Sequence, residues 1–258
     1  MTLGIDVSLG EVAASLFLVA IAIAISRWSS AGLEGEMGIA VVRSFVQLTA
    51  IGYVIQLIFD DGSLWLVAAL LAASIGFGTL TARSRARKVP KPTLPLLIAL
   101  TAAGATTIGL VLVLGIFEAS ARYLVPVGGM VIGNAMTASA VALNRLGDEF
   151  AQGAGEIEAT LALGATARQA ALPHLRRSLR SGTIALIDST KTTGLIFFPG
   201  TMVGMLLAGA DPVDAVRLQL ILLWVLLGAA AISALVSTTL AYRGFFTAAH
   251  QLRDPPPP

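Results

Sequence analysis

The chain has 258 residues, 56% of them hydrophobic and only 12% charged, with a mean hydropathy of +0.84; a soluble domain of this length carries about 25% charge, so there are too few charged groups to clothe a water-facing surface. The net charge is only +2 and the basic residues fall in short runs between apolar stretches, which points to lipid headgroups rather than to nucleic acid. With no Cys, and with His174 and His250 as the only histidines, a disulfide framework, a thiolate metal site and a His-rich metal path are all excluded.

A membrane-spanning helix needs roughly 20 mostly apolar residues. In chain order such stretches fall at about 9–26, 38–59, 64–82, 94–116, 123–143, 183–208 and 216–242. Clusters of polar or turn-forming residues separate them: Arg27–Glu36, Asp60–Ser63, Arg83–Pro92, Phe117–Arg122, Asn144–Ser181 and Gly209–Ala215. The first stretch does not read as a cleaved signal peptide, because Asp6 and Glu11 stand where positive charge belongs. The pattern predicts an all-α polytopic membrane protein with about seven transmembrane helices. They form a single transmembrane domain over 1–250, followed by a short disordered Pro-rich tail over 251–258.

Charge sets the orientation. With the N-terminus outside, the inner segments collect Arg27; Arg83, Arg85, Arg87, Lys88 and Lys91; Arg145, Arg168, Arg176, Arg177 and Arg180; and Arg243 and Arg253. The outer segments then hold only Arg122 and Arg217, together with the acidic turns Asp60/Asp61 and Asp211/Asp214. An even number of spans spoils this alternation, so the expectation is seven spans, N-out and C-in, in the plasma or inner membrane.

The longest inner segment, 144–181, contains Glu156-Ile-Glu158-Ala159-Thr160-Leu161-Ala-Leu-Gly164-Ala165-Thr166-Ala-Arg168. Acids at the start of an Ala/Leu-rich run favour a short helix, Gly164 suits its end, and Pro173 is expected to interrupt the second half of the segment. Glu158-Ala159 with Gly164 six residues after the Glu resembles the Glu-Ala-Ala…Gly coupling loop of ABC transporter permeases, with Thr160 in place of the second Ala. Further motifs come in one family's order. They are Arg43-Ser-Phe-Val-Gln47-Leu, Pro126-Val-Gly-Gly-Met130-Val-Ile-Gly-Asn134, Asp188-Ser-Thr-Lys191-Thr-Thr-Gly194 and Pro199-Gly200-Thr-Met202-Val-Gly204. Over about residues 40–242 the chain resembles the FetB-type metal-resistance permeases, related to plant aluminium-tolerance permeases. It departs from their sixth-span pattern at Val203 and Met205, where oxygen-bearing side chains are common.

The resemblance implies the permease subunit of an ATP-driven exporter of iron or another metal. It implies a homodimer powered by a separate ABC ATPase subunit that binds ATP and Mg. The coupling contact falls on Glu156, Glu158, Ala159, Leu161, Gly164, Ala165, Thr166 and Arg168. No cofactor is expected in the chain itself, and it holds no Gly-x-x-x-x-Gly-Lys-Ser/Thr phosphate loop. The chain is not expected to be an enzyme: no membrane-embedded nucleophile–base pair or HExxH motif is present.

Ionisable groups are costly in lipid and mark pathways. Arg43, Asp188 and Lys191 are the three within spans, and Asp188 and Lys191 share a helix face three residues apart. They define either a polar entrance on the cytoplasmic side or a self-satisfied pair that locks packing. Gln47, Met130, Asn134, Pro199 and Met202 complete the expected pathway. Gly129/Gly133 and Gly200/Gly204 are expected to allow close helix approach, with Pro199 breaking the sixth span. The methionines are read as adaptable packing, and no metal site is assigned. Two alternatives remain: an ion-coupled secondary transporter, and ABC export of a non-metal solute such as a nucleotide sugar.

Overall fold

A computed structural model describes residues 8–247 and 249–253, and among these it holds helices and no β-strand. The helices are α1 (Leu9–Trp28), α2 (Glu34–Asp61), α3 (Leu64–Arg85), α4 (Thr93–Val113), α5 (Ala121–Gln152), α6 (Ala154–Ala162), α7 (Ala167–Thr192), α8 (Gly200–Leu207) and α9 (Pro212–Ala241), with a 3-10 turn at Tyr242–Phe245. Six are long and apolar enough to cross a membrane: Gly10–Trp28, Glu34–Asp61, Leu64–Arg85, Thr93–Val113, Ala121–Gln152 and Pro212–Phe245. Their outward surface is apolar, with Phe17, Trp65 and Phe77 each about 70% exposed.

Contacts divide the chain into two units, Met1–Gly62 with Leu207–Gly209, and Ser63–Leu206 with Ala210–Pro258. The first is built on α1 and α2. Ser8 and Glu11 form a reciprocal cap on α1, in which Ser8 N donates to Glu11 Oε2 at 2.8 Å, so Glu11 closes the helix start. α2 ends at Gly62, whose φ of +67° turns the chain.

In the second unit α5 is the central element and packs against α3, α4, α7 and α9. Small side chains let these helices approach: Ala135, Ala138, Ala142, Ala229, Ala230 and Ala234 are buried, and Ser233 Oγ donates across to Ala135 O at 3.0 Å. A Cβ on Gly182 of α7 would lie 2.7 Å from Ala138 O, so that crossing requires glycine. The glycine pairs expected to carry close packing do not: Gly129, Gly133, Gly200 and Gly204 have no non-local atom within 4 Å of a built Cβ. The tight contacts fall instead at Gly128 against Leu71, Gly147 against Lys88, Gly153 against His174, and at Gly182. A GxxxG pattern specifies spacing on a helix but not which side the neighbour takes.

Three further expectations are corrected. The segment 144–181 is not a loop. α5 continues to Gln152, because Leu143, Leu146 and Phe150 keep an apolar stripe turned to the core while Arg145 and Asn144 face out. A helix need not stop where its outward face turns polar. Pro173 does not interrupt α7; it costs one backbone hydrogen bond in the second turn, and burial of Ala170, Ala171 and His174 around it outweighs that loss.

The expected span 183–208 is not one helix either. α7 ends at Thr192, Thr193–Pro199 leaves helical geometry, and α8 comes next. Thr190, Thr192 and Thr193 turn their hydroxyls onto carbonyls of the preceding turn, Gly194 takes φ +87°, and its N–H turns to Phe197 O at 2.8 Å. The break therefore opens at Gly194, and Pro199 closes it as the residue before α8, where its carbonyl accepts from Val203 N.

The tail is held further than expected. Thr247 N donates to Gln251 O and Arg253 N to Phe245 O, both at 2.8 Å, while 254–258 lies outside the described residues.

Candidate functional site

The residues of the expected coupling contact converge on one hairpin. Gly153 breaks α5 from α6, and α6 buries only Ile157 fully, with Leu161 half-buried one turn on. Its other face presents Glu158, Ala159, Ala162 and Leu163, the last 89% exposed. The end of α6 is a Schellman turn: Gly164 N bonds Leu161 O at 2.9 Å and Ala165 N bonds Thr160 O at 3.3 Å, with Gly164 at φ +89°. Thr166 then starts α7. Its N–H donates to Gln169 Oε1 at 2.8 Å and its hydroxyl accepts from Gln169 N at 3.3 Å. Arg168 is exposed in the first turn of α7. A nine-residue helix with an exposed end, stopped by one glycine and restarted at once, is therefore carried between two long helices.

Beneath the hairpin lies an ion cluster that sequence reasoning missed. Glu149 of α5 is 6% exposed, and among the described residues it and His174 are the buried acid and base. Arg145 Nη2 donates to Glu149 Oε1 at 2.6 Å, and Arg177 Nε to Oε2 at 3.0 Å. His174 Nδ1 stands 3.2 Å from the same Oε2, with Arg177 Nη2 at 3.3 Å from Nδ1. Nδ1 donates to Glu149 in one tautomer and accepts from Arg177 Nη2 in the other. His174 Nε2 is buried with no hydrogen-bond partner, and Glu156 Oε2 of α6 is 3.9 Å away. Gly153 packs on the ring so closely that a Cβ there would run into His174 Cε1. Phe150 lies 5.9 Å from the ring and stacks on Phe245 at 4.3 Å.

One carboxylate thus joins α5 to α7, and one imidazole lies against both and against the root of α6. The sequence signals were present but weak: Arg145/Glu149 and His174/Arg177 have helical spacing, yet nothing local pairs residues 25 apart. Next to the cluster, Lys88 Nζ bonds Asp148 Oδ1 at 2.7 Å and ties the α3–α4 turn to α5.

The expected pathway residues are more scattered. In the first unit, Arg43 and Gln47 lie one turn apart on α2, exposed beside Ile39, Val42 and Val46. In the second, Met130 and Asn134 are half-buried on α5, and Asn134 Nδ2 donates to Met130 O at 2.9 Å. Asp188 and Lys191 do pair, at 3.1 Å, with side chains 59% and 66% exposed. Asp188 lies eight residues beyond Arg180 on α7, about 12 Å along the axis. Pro199 and Met202 are buried at the break and on α8. No group of three or more His, Asp or Glu able to hold a metal occurs among the described residues.

Lipid is the solvent in which so much outward apolar surface is stable, which makes this a multi-pass helical membrane protein. More narrowly, the chain belongs to the uncharacterised protein family UPF0014, which it matches over residues 9–246. It is 41% identical over 242 residues to the UPF0014 membrane protein STAR2 of Oryza sativa subsp. japonica, covering 93% of this chain and 85% of that one. It is 40% identical over 242 residues to the protein ALUMINUM SENSITIVE 3 of Arabidopsis thaliana, covering 93% and 88%. It is 36% identical over 245 residues to the probable iron export permease protein FetB of Escherichia coli (strain K12), covering 94% and 93%. No solved structure matches the chain.

Proposed function

We propose that the chain is the permease subunit of an ABC-type exporter, working as a homodimer with a separate ATPase subunit that binds ATP and Mg. The observation that carries this reading is the α6–α7 hairpin: a short helix with an exposed end, stopped by Gly164 and rooted between two long helices. That geometry presents a rigid knob to a cytoplasmic partner and transmits force to the spans behind it. The reading takes further support from the Escherichia coli relative, named a probable iron export permease, and iron or another metal cation is the cargo it favours.

In this reading the chain crosses a plasma or inner membrane seven times, N-out and C-in. α7 and α8 together make the sixth crossing, broken at Thr193–Pro199. Backbone that leaves helical geometry at membrane depth is tolerated where it lines a cavity or is buried in protein, so the break belongs to the pathway. Asp188 and Lys191 flank it one to two turns before Gly194, and the Asp188 carboxylate is the group that attracts a cation. A discontinuous helix with adjacent charges also suits an ion-coupled secondary transporter, which is the second reading.

Affinity capture with the tagged chain followed by reconstitution in liposomes separates the two. The ABC reading expects an ATP-binding subunit that carries the ABC signature motif, with ATPase activity stimulated by Fe(II) and docking weakened by Gly164→Arg. Solute movement driven by an ion gradient, with no such subunit bound, overturns it. Because the chain has no cysteine, single substitutions report topology cleanly. A membrane-impermeant maleimide is expected to label Asp61→Cys from outside and Glu158→Cys only after permeabilisation; the reverse pattern overturns the orientation.

A further inference from the structure

The position of His174 in the cluster goes beyond docking. Glu149 already has both oxygens engaged, by Arg145, Arg177 and His174 Nδ1, so α5 and α7 are tied whatever α6 does. The ring's far nitrogen is different. It is buried, it lacks a partner, and the nearest carboxylate, on the coupling helix, stands 3.9 Å off, beyond hydrogen-bonding distance by less than an ångström. A buried polar atom left without a partner is costly, and here its partner sits on an element rooted through a single glycine.

We infer that His174 and Glu156 are positioning residues forming a joint that closes when the ATPase subunit presses on α6. The joint passes the displacement of α6 into the rigid α5–Glu149–α7 frame. In the closed joint Nε2–H donates to the Glu156 carboxylate, while Nδ1 stays against Glu149 and Arg177. The charged groups around the ring are Glu149, Arg145 through Glu149, and Arg177 on the fixed side, and Glu156 on the moving side. The inference rests on the ABC reading.

The test uses the full chain reconstituted with the ABC ATPase subunit, measuring both its affinity for that subunit and the ATP hydrolysis it stimulates. Glu156 is exposed, so Glu156→Ala folds. His174→Asn keeps a donor at the Nδ1 position and removes the far nitrogen, whereas His174→Gln reaches the far position. Glu156→Ala and His174→Asn are each expected to lower the stimulated kcat about tenfold, the worth of one charge-assisted hydrogen bond, with KM for ATP unchanged and, for the buried His174, affinity for the subunit unchanged as well. The double variant is no worse than either single one, and Glu156→Gln and His174→Gln retain most of the activity. Losses that multiply in the double variant overturn the joint while leaving the ABC reading intact, and so does weaker docking of His174→Asn or failure of both Gln variants. If the wild-type chain binds no ABC ATPase subunit, both fall together.

Discussion

The two ends of α7 are built on opposite plans. At its start, His174 and Arg177 enter a buried cluster where Glu149 takes three cationic or N–H partners and aromatic rings seal the periphery. At its end, Asp188 and Lys191 pair in the open, the helix stops at Thr192, and Leu195 and Ile196 stand more than 80% exposed. The first arrangement resists deformation because drawing its partners away leaves the buried Glu149 carboxylate alone. The second costs little to rearrange, since exposed ion pairs contribute up to about 1 kcal/mol. A helix fixed at one end and adaptable at the other suits a lever.

The contrast breaks most readily at Glu149. Glu149→Ala removes the carboxylate shared by the imidazole and two half-exposed arginines, which can rehydrate, and is expected to destabilise the protein by about 1.5–3 kcal/mol, seen as a fall in the thermal midpoint in detergent. If the midpoint hardly moves, the cluster is not the rigid end. Gly153→Val drives a branched side chain into His174 and is expected to cost about 1–3 kcal/mol, with the hairpin displaced; protease cleavage within 154–166 rising against wild type checks it.

Gly164→Ala tests the turn alone. A built Cβ there meets no atom within 4 Å, so the expected loss of about 1 kcal/mol arises from backbone conformation and not from packing. A fall in the thermal midpoint of a few degrees or less checks it. Asp188→Asn is expected to change stability by less than about 0.5 kcal/mol while reducing Fe(II) transport in liposomes. Equal transport leaves Asp188 as a packing residue and removes the functional half of the comparison.

Much of the fold is legible in the residues alone. Five of the expected spans correspond to helices α1 to α5, and the last to α9, because hydropathy summed over 20 residues measures transfer into lipid, which dominates helix placement in a membrane. The hairpin is legible too: Glu156, Gly164 and Thr166 carry local signals for a helix start, a helix end and a cap. Local signals fail where backbone and tertiary terms compete. Residues 183–208 are apolar enough for one span, but hydropathy does not register the glycine that turns the backbone and its hydrogen bond out of the helix at 194.

What the sequence determined by itself is the solvent, the helices and the hairpin, since each arises from composition or from neighbours within four residues. The tertiary structure decided which glycines meet a neighbour, that Pro173 is carried inside a helix, and that Glu149 and His174 share one buried site. Those outcomes depend on which face α5 turns to α7. A one-residue change in facing moves a side chain by about 100°, and only packing of the whole unit selects among such choices.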